Sequence, residues 1–458
     1  MLHTKSRLLT LSAGLCGALL LNSAHAANWL MLQGTEPTDA APRAKVWGFI
    51  QAQYQKDTSD PSSTNAYVPP KLIGPQLTSQ KQFNVNRARI GVRGQGFPLD
   101  ANVNYFILAE FGTNAITNSS SGAGHITDAS ITLNNIPGAR IRTGLFKYPG
   151  AEEGMQAIHV FDYINFTTVS NQLLLERFPS KTYTSNIPAT TLPNQTGMNG
   201  FDKPVGAFRD VGVQVFDTFK VNDWEHSYAV MLGNGEGLNM GDTDDNMDTY
   251  LYWSSELVFG GKGPRREGLK LFAWSQNGKR LLDNTNDATY NPTEFDRKRS
   301  GLGVKYLRKP FRVTAEYMKG EGMIFVGPDK PTYYVNDAAG AVNAGVGDGA
   351  NGEANGYYLE GGWYIPNTKW ELDLRYDVYN RLTSDKAFPG GPNAGRSFEF
   401  SFKTITYGFQ YHFNKKTHLT VNYADRTFEA VDFPSGAGPN DNLDGVGGRF
   451  AAQLTHIF

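Results

Sequence analysis

Cysteine is almost absent from this chain. The one copy, Cys16, falls within the first 26 residues, which read as a secretory signal. Lys5 and Arg7 form the basic start, Leu8 to Leu21 the apolar run and Ala24-His25-Ala26 the small-x-small cleavage site. The apolar run is short for a bilayer span. Leu15 is also not the small residue that lipid attachment at Cys16 needs. Without residues 1–26 the chain has no cysteine, which excludes disulfides, thiolate metal sites, covalent c-type haem and cysteine nucleophiles. Long hydrophobic runs are missing too: no later stretch has the ~20 apolar residues of a membrane-spanning helix.

A dominant charge is equally lacking. The 43 basic and 44 acidic residues become 41 and 44 once Lys5 and Arg7 are removed, and nothing in that balance points to nucleic acid. Motifs of catalysis and cofactor binding do not survive inspection. The six later histidines (His125, His159, His226, His412, His418, His456) form no H-E-x-x-H pair, and no G-x-S-x-G elbow occurs. Residues 347–352 match G-x-G-x-x-G but have neither a strand just before nor an amphipathic helix after. Residues 242–246 resemble half of a calcium loop without its glycine and distal glutamate. They read as a solvated loop, with cation binding left open. No catalytic residue, cofactor or metal site is expected.

What the chain does have is period two. Gly (50), Phe (28) and Tyr (22) are plentiful, and mean hydropathy is negative. Leu372, Leu374, Tyr376 and Val378 alternate with Glu371, Asp373, Arg375 and Asp377. Val103, Tyr105, Ile107 and Ala109 oppose Asn102, Asn104 and Glu110, and Asn86, Ala88, Ile90 and Val92 oppose Arg87, Arg89, Gly91 and Arg93. Strands are predicted near 45–55, 83–94, 102–112, 125–134, 139–147, 208–218, 224–232, 247–259, 268–277, 299–307, 311–319, 355–365, 368–380, 400–413, 417–428 and 446–458. Long and short connections alternate without exception. That parity, with an even strand count, is the habit of transmembrane up-and-down antiparallel β-barrels whose termini face the periplasm of a Gram-negative cell. Soluble sandwiches have no reason to sort loops this way. In lipid every backbone N–H and C=O needs an internal partner, which strands achieve only by closing on themselves. The expected order is signal peptide 1–26, periplasmic segment 27–44 and an outer-membrane barrel of about sixteen strands over 45–458. Tyr105, Trp253, Trp274, Tyr306 and Tyr407 are candidates for interfacial girdles.

Two features point inward. The connection 148–207 is far longer than an ordinary loop and mixes Glu152, Glu153, Asp162 and Arg177 with apolar residues. It is expected to fold into the lumen and narrow it, the alternative being an outer lid. By parity, eleven basic residues face the lumen: Arg87, Arg89, Arg93, Arg142, Lys270, Arg299, Lys305, Arg312, Arg375, Arg426 and Arg449. Seven acids share that face: Glu110, Asp128, Glu256, Glu316, Glu371, Asp373 and Asp377. The excess leans towards anions, against the alternative of mutual neutralisation across strands.

These residues also resemble the phosphate-selective porin O and P family from about Lys45 to Phe458. The likeness is carried by Arg87-Ala88-Arg89-Ile90-Gly91-Val92, Arg142-Thr143-Gly144-Leu145-Phe146-Lys147-Tyr148-Pro149, Leu175-Glu176-Arg177, Arg209-Asp210-Val211-Gly212-Val213 and Gly233-Asn234-Gly235-Glu236-Gly237. It implies a sixteen-stranded barrel, usually trimeric, that conducts small anions. Pro149-Gly150 stands where the family usually has Pro-Phe-Gly, and 161–166 departs from the phosphate-specific members, so another oxyanion such as selenite is equally in range. A different class of role is a barrel sheath for a cytochrome partner in an electron-transfer complex, and a third is a barrel enzyme with a site built across strands.

Overall fold

The computed structural model describes residues 28–32, 43–59, 81–96, 100–114, 116–117, 124–176, 182–183, 206–242, 244–284, 293–324, 335–337, 340–342, 351–383, 395–397, 399–436, 440 and 443–458. The signal at 1–26 and Arg177 lie outside them. Sixteen strands build one closed antiparallel barrel. They are β1 (Lys45–Asp57), β2 (Lys81–Gln95), β3 (Val103–Glu110), β4 (His125–Leu133), β5 (Arg140–Lys147), β6 (Arg209–Val221), β7 (Trp224–Gly233) and β8 (Asp248–Gly260). There follow β9 (Glu267–Asn284), β10 (Thr293–Arg308), β11 (Phe311–Glu321), β12 (Glu353–Tyr364), β13 (Trp370–Arg381), β14 (Phe400–Asn414), β15 (Thr417–Ala430) and β16 (Arg449–Ile457). Each strand pairs with the next, and β1 pairs with β16 from Phe49↔Ile457 to Asp57↔Arg449, so no edge is left.

The short connections gather at one end of the barrel and the long ones at the other. Asn222 begins one of three two-residue turns with a positive φ of 54°, a conformation that asparagine tolerates better than most residues. The expected strands match the observed ones except at β9 and β10. There the hairpin runs on to Leu282↔Thr293, and residues 182–183 pair in parallel with its tip.

The distribution of side chains is inside out. Ile90, Ile107, Leu302 and Leu374 stand 44–62 % exposed on the outer surface, while Gln51, Glu371 and Thr455 are buried within. Water would not tolerate so continuous an apolar belt, but lipid does. Trp253 and Tyr407 lie on this outer face. Trp274 does not: it points inward and donates from Nε1 to Glu316 (2.7 Å), so it is no girdle residue.

Strict alternation fails in β2 in a way the sequence hides. Opposite Gln51 and Ala52, β2 carries an extra residue, Asn86, between Val85 and Arg87. This bulge reverses parity along β2. Phe83 and Val85 therefore face outward with Ile90, and Asn86 is buried rather than grouped with Ala88 and Ile90. Deleting Asn86 restores plain alternation with Phe83 and Val85 still facing outward, because it removes only the residue that β1 does not pair. We expect the variant to keep its heat-resistant folded band on unheated gels up to the wild-type temperature; deleting an ordinary ladder residue would turn Phe83 and Val85 inward, so a clearly lower transition refutes the bulge.

Candidate functional site

A barrel of sixteen strands is too wide for its own side chains to fill. Residues 148–176 enter this space. They form helix α2 (Glu152–Met155), a 3₁₀ turn at Ile158–Val160 and helix α3 (Thr168–Leu173). Thr167 caps α3, its hydroxyl accepting from the Ser170 N–H at 3.2 Å. Val169, Leu173, Leu174 and Leu175 are buried, each worth about 1.5–3 kcal/mol against exposure. Two wall glycines let α3 approach. A Cβ on Gly356 would lie 2.7 Å from Val169, and one on Gly320 would lie 2.5 Å from Leu173.

Charge determines which wall the segment leans on. Glu152 accepts from Lys270 on β9 and, at 2.9 Å, from Lys305 on β10. Glu153 faces Arg375 on β13 (3.5 Å) and takes the Thr167 N–H and hydroxyl. Asp162 meets Arg265 in the β8–β9 turn (2.6 Å) and Arg312 on β11 (3.2 Å). Glu176 meets Arg280 on β9 (2.6 Å) and Arg297 on β10 (3.1 Å). All four acids thus bind β9–β13 or the turn that feeds β9. The Glu152 carboxyl is pushed up by burial, but Lys270 and Lys305 outweigh this and hold it at about 2. Burial also raises Asp162, and Arg265 and Arg312 overcome it, so its carboxyl lies below its usual range.

Against the opposite wall the contacts are sparser and neutral. Gln51 donates to the Ile158 carbonyl (3.2 Å), and the Ile164 N–H donates to Asn422 (3.0 Å). Space remains on this side. Towards the long connections a cavity of about 70 Å³ is lined by four basic residues, Arg87, Arg375, Arg426 and Arg449, and one acid, Asp377. Towards the short turns a chamber of about 690 Å³ is lined by eight basic residues and one acid, Asp128. Asp128 is itself paired with Arg209 at 3.0 Å.

The eight candidate lining residues therefore divide. Lys270, Lys305, Arg312 and Arg375 hold the inward segment; Arg312 also binds Glu371 (2.6 Å) and Asp373 (2.5 Å). Arg142 is fully enclosed, stacked on Phe216 (4.5 Å) and bonded to Thr132. Arg87, Arg89 and Arg93 line the cavities. Arg87 donates to Gln51 (3.0 Å), Arg89 is paired with Glu110 (2.6 Å), and Arg93 sits over Trp47. Sequence reasoning missed Lys147, Arg209, Lys262 and Arg265 because they lie in turns or at strand ends, where parity says nothing. Glu176 was visible only as part of a family motif.

The 27–44 segment, expected on the periplasmic side, contributes helix α1 (Trp29–Leu32), which lies inside the barrel at the short-turn end. Asn28 donates to Ser227 (2.6 Å), and Lys305 sits over the Trp29 ring. In the 242–246 loop, Asp242 accepts the N–H groups of Asp244 and Asp245 (3.0 Å each), the bonding of a turn.

No family model matches the chain, and no curated protein is similar to it. Solved structures are. An anion-selective porin from Comamonas acidovorans is 12 % identical, with a TM-score of 0.50 over 91 % of this chain and 99 % of that one. The outer membrane channel DcaP of Acinetobacter baumannii is 13 % identical, with a TM-score of 0.49 over 93 % and 100 %. OmpF of Salmonella typhi, in a complex with daunomycin, is 13 % identical, with a TM-score of 0.47 over 91 % and 97 %. The chain has the porin fold: a closed sixteen-stranded antiparallel barrel.

The Glu152 pairing carries a pH signature. A carboxyl held at about 2 when folded, against 4.5 ordinarily, stabilises fully above pH 4.5 and loses that contribution as pH falls towards 2. Glu152→Gln strands two buried lysines and should destabilise the folded barrel by about 3–5 kcal/mol at pH 7. It should also flatten the decline between pH 4.5 and 2. Thermal unfolding in detergent across that range reads both effects; a Glu152→Gln barrel with wild-type stability at pH 7 refutes the anchor.

Proposed function

We propose that the chain is an outer-membrane channel for passive diffusion of small anions, with the short turns and both termini on the periplasmic side. The observation that carries the reading is the charge of the larger space beside residues 148–176: eight basic residues and one acid line the chamber below, whereas in the cavity above Arg426 and Arg449 pair with Asp57 and Arg375 with Glu153. The passage runs along β1, β2 and β14–β16, and residues 148–176 narrow it. Basic walls around a narrow aqueous path raise the local concentration of anions. The motif likeness to phosphate-selective porins fits this preference, and oxyanions such as phosphate or selenite are within its range. The filled lumen favours a channel over a sheath around a cytochrome partner, since residues 148–176 and α1 occupy the space a sheath must leave free.

In planar bilayers under a KCl gradient, the wild type is expected to give a reversal potential of anion sign. Arg93→Glu with Lys262→Glu should lower the anion-to-cation permeability ratio by roughly twofold or more. A cation-selective wild type removes the anion preference, and a barrel without conductance removes the channel.

The same reading includes a homotrimer. Phe259, Phe311, Trp363, Trp370 and Phe413 form an outer aromatic belt near the short turns of β8–β14. Among the described residues of β2–β5 at that level the outward aromatic is Tyr105, and Ile107, Ile131 and Leu133 dominate. A sector without a headgroup belt suits contact with another subunit. Ile107→Arg should convert the trimer band on unheated gels to monomer; a trimer that survives places the contact elsewhere.

A further inference from the structure

The 690 Å³ chamber has walls that an inorganic anion does not need. Its cationic side chains stand on an aromatic tier. Trp47 stacks on Phe49 (6.3 Å) and Phe106 (6.1 Å), and the His159 ring lies 5.0 Å from Phe49 and 5.7 Å from Trp47. Arg93 sits over Trp47 at 5.8 Å and Arg89 over Phe49 at 5.7 Å. Leu32 of α1 and Ile158 and Val160 of the inward segment add apolar surface, and like Trp47 they are half-exposed. Charge remains available beside this surface. Lys147 is held by the Gln156 carbonyl, and among the described residues neither it nor Lys262 is within 4 Å of a carboxylate.

A hydrated chloride or phosphate gains nothing from a Trp–Phe–His wall, and apolar surface left facing water is unfavourable. A planar apolar ring covers that wall by stacking, while a carboxylate on the ring reaches the neighbouring cations. The volume suits a one- or two-ring molecule. Lys45 and Lys416 line the rim of the chamber towards the short turns, where an anion entering from that side meets them first.

We propose that this chamber is a binding site for small aromatic carboxylates. Trp47, backed by the buried Phe49 and Phe106, takes the ring together with Leu32, Ile158 and Val160, and Arg93 with Lys147 and Lys262 takes the carboxylate. The inference deepens the anion-channel reading and rests on it for a route to the site, but the site can be tested without conduction.

The test is isothermal titration of the folded full-length barrel in detergent with sodium benzoate, and separately with sodium acetate, which carries the same charge without the ring. Saturable benzoate binding and no measurable acetate binding are expected. Trp47→Leu should weaken benzoate binding by about tenfold, and Arg93→Gln should weaken it with the fold retained. Both variants are to be checked for the wild-type heat-resistant band. Folded variants that bind benzoate as the wild type does, or a wild type that binds acetate as well as benzoate, overturn the site. Conductance in KCl, measured in parallel on the same preparation, decides the channel reading independently. A conducting, anion-selective pore that ignores benzoate refutes the inference and leaves the channel standing. A barrel that binds benzoate but does not conduct does the reverse.

Discussion

A strand in lipid has no water to satisfy its edge, so everything else in this molecule follows from the pairing of β1 with β16. Closure requires tilted, staggered strands, and sixteen of them surround a space they cannot fill. That space has to be organised by something other than strand side chains. Here it is organised by residues 148–176, which carry acids into a lumen whose walls are basic.

The lumen charges consequently do two jobs that a count cannot separate. On the β9–β13 side, lysines and arginines are consumed in pairs with Glu152, Glu153, Asp162 and Glu176. Such buried pairs add little net stability over an apolar substitute, but they are strongly destabilising to break, and so they fix position. On the β1–β2 and β14–β16 side, Arg87 and Arg93 border water-sized space, and Arg426 and Arg449 do so while paired with Asp57 (2.8 and 3.3 Å). Acids of the inward segment therefore neutralise one wall, while the other pairs Arg89, Arg209, Arg426 and Arg449 with its own acids and leaves its remaining cations, Lys147 and Lys262 among them, on the chamber. The aromatic tier beneath Arg89 and Arg93 belongs to the basic wall, which is why charge and apolar surface meet in one chamber.

Most of the fold was legible before any coordinates. Alternation in residues 371–378 and the parity of connection lengths are backbone-scale signals, and lipid enforces both. The failures are local and have causes. Asn86 is a bulge whose polar side chain mimics an ordinary alternation mistake, so the outward turn of Phe83 and Val85 was invisible. Trp274 resembles a girdle residue by type, yet its N–H finds a buried carboxylate on the neighbouring strand. The eleven-to-seven tally named residues that face the lumen but could not tell Lys305, which anchors, from Arg93, which lines the chamber.

The sequence by itself determined a closed barrel of about sixteen strands, an overlong connection at 148–207 and an excess of basic over acidic residues facing the lumen. Each is written in patterns of period two or in segment length, which survive without knowing what touches what. Tertiary structure alone decided where residues 148–176 lean, which cations their acids neutralise, and that Trp29–Leu32 closes one side of the chamber. Those outcomes depend on pairs far apart in the chain, such as Glu153 with Arg375 at 222 residues and Ile164 with Asn422 at 258, that meet only because the barrel closes.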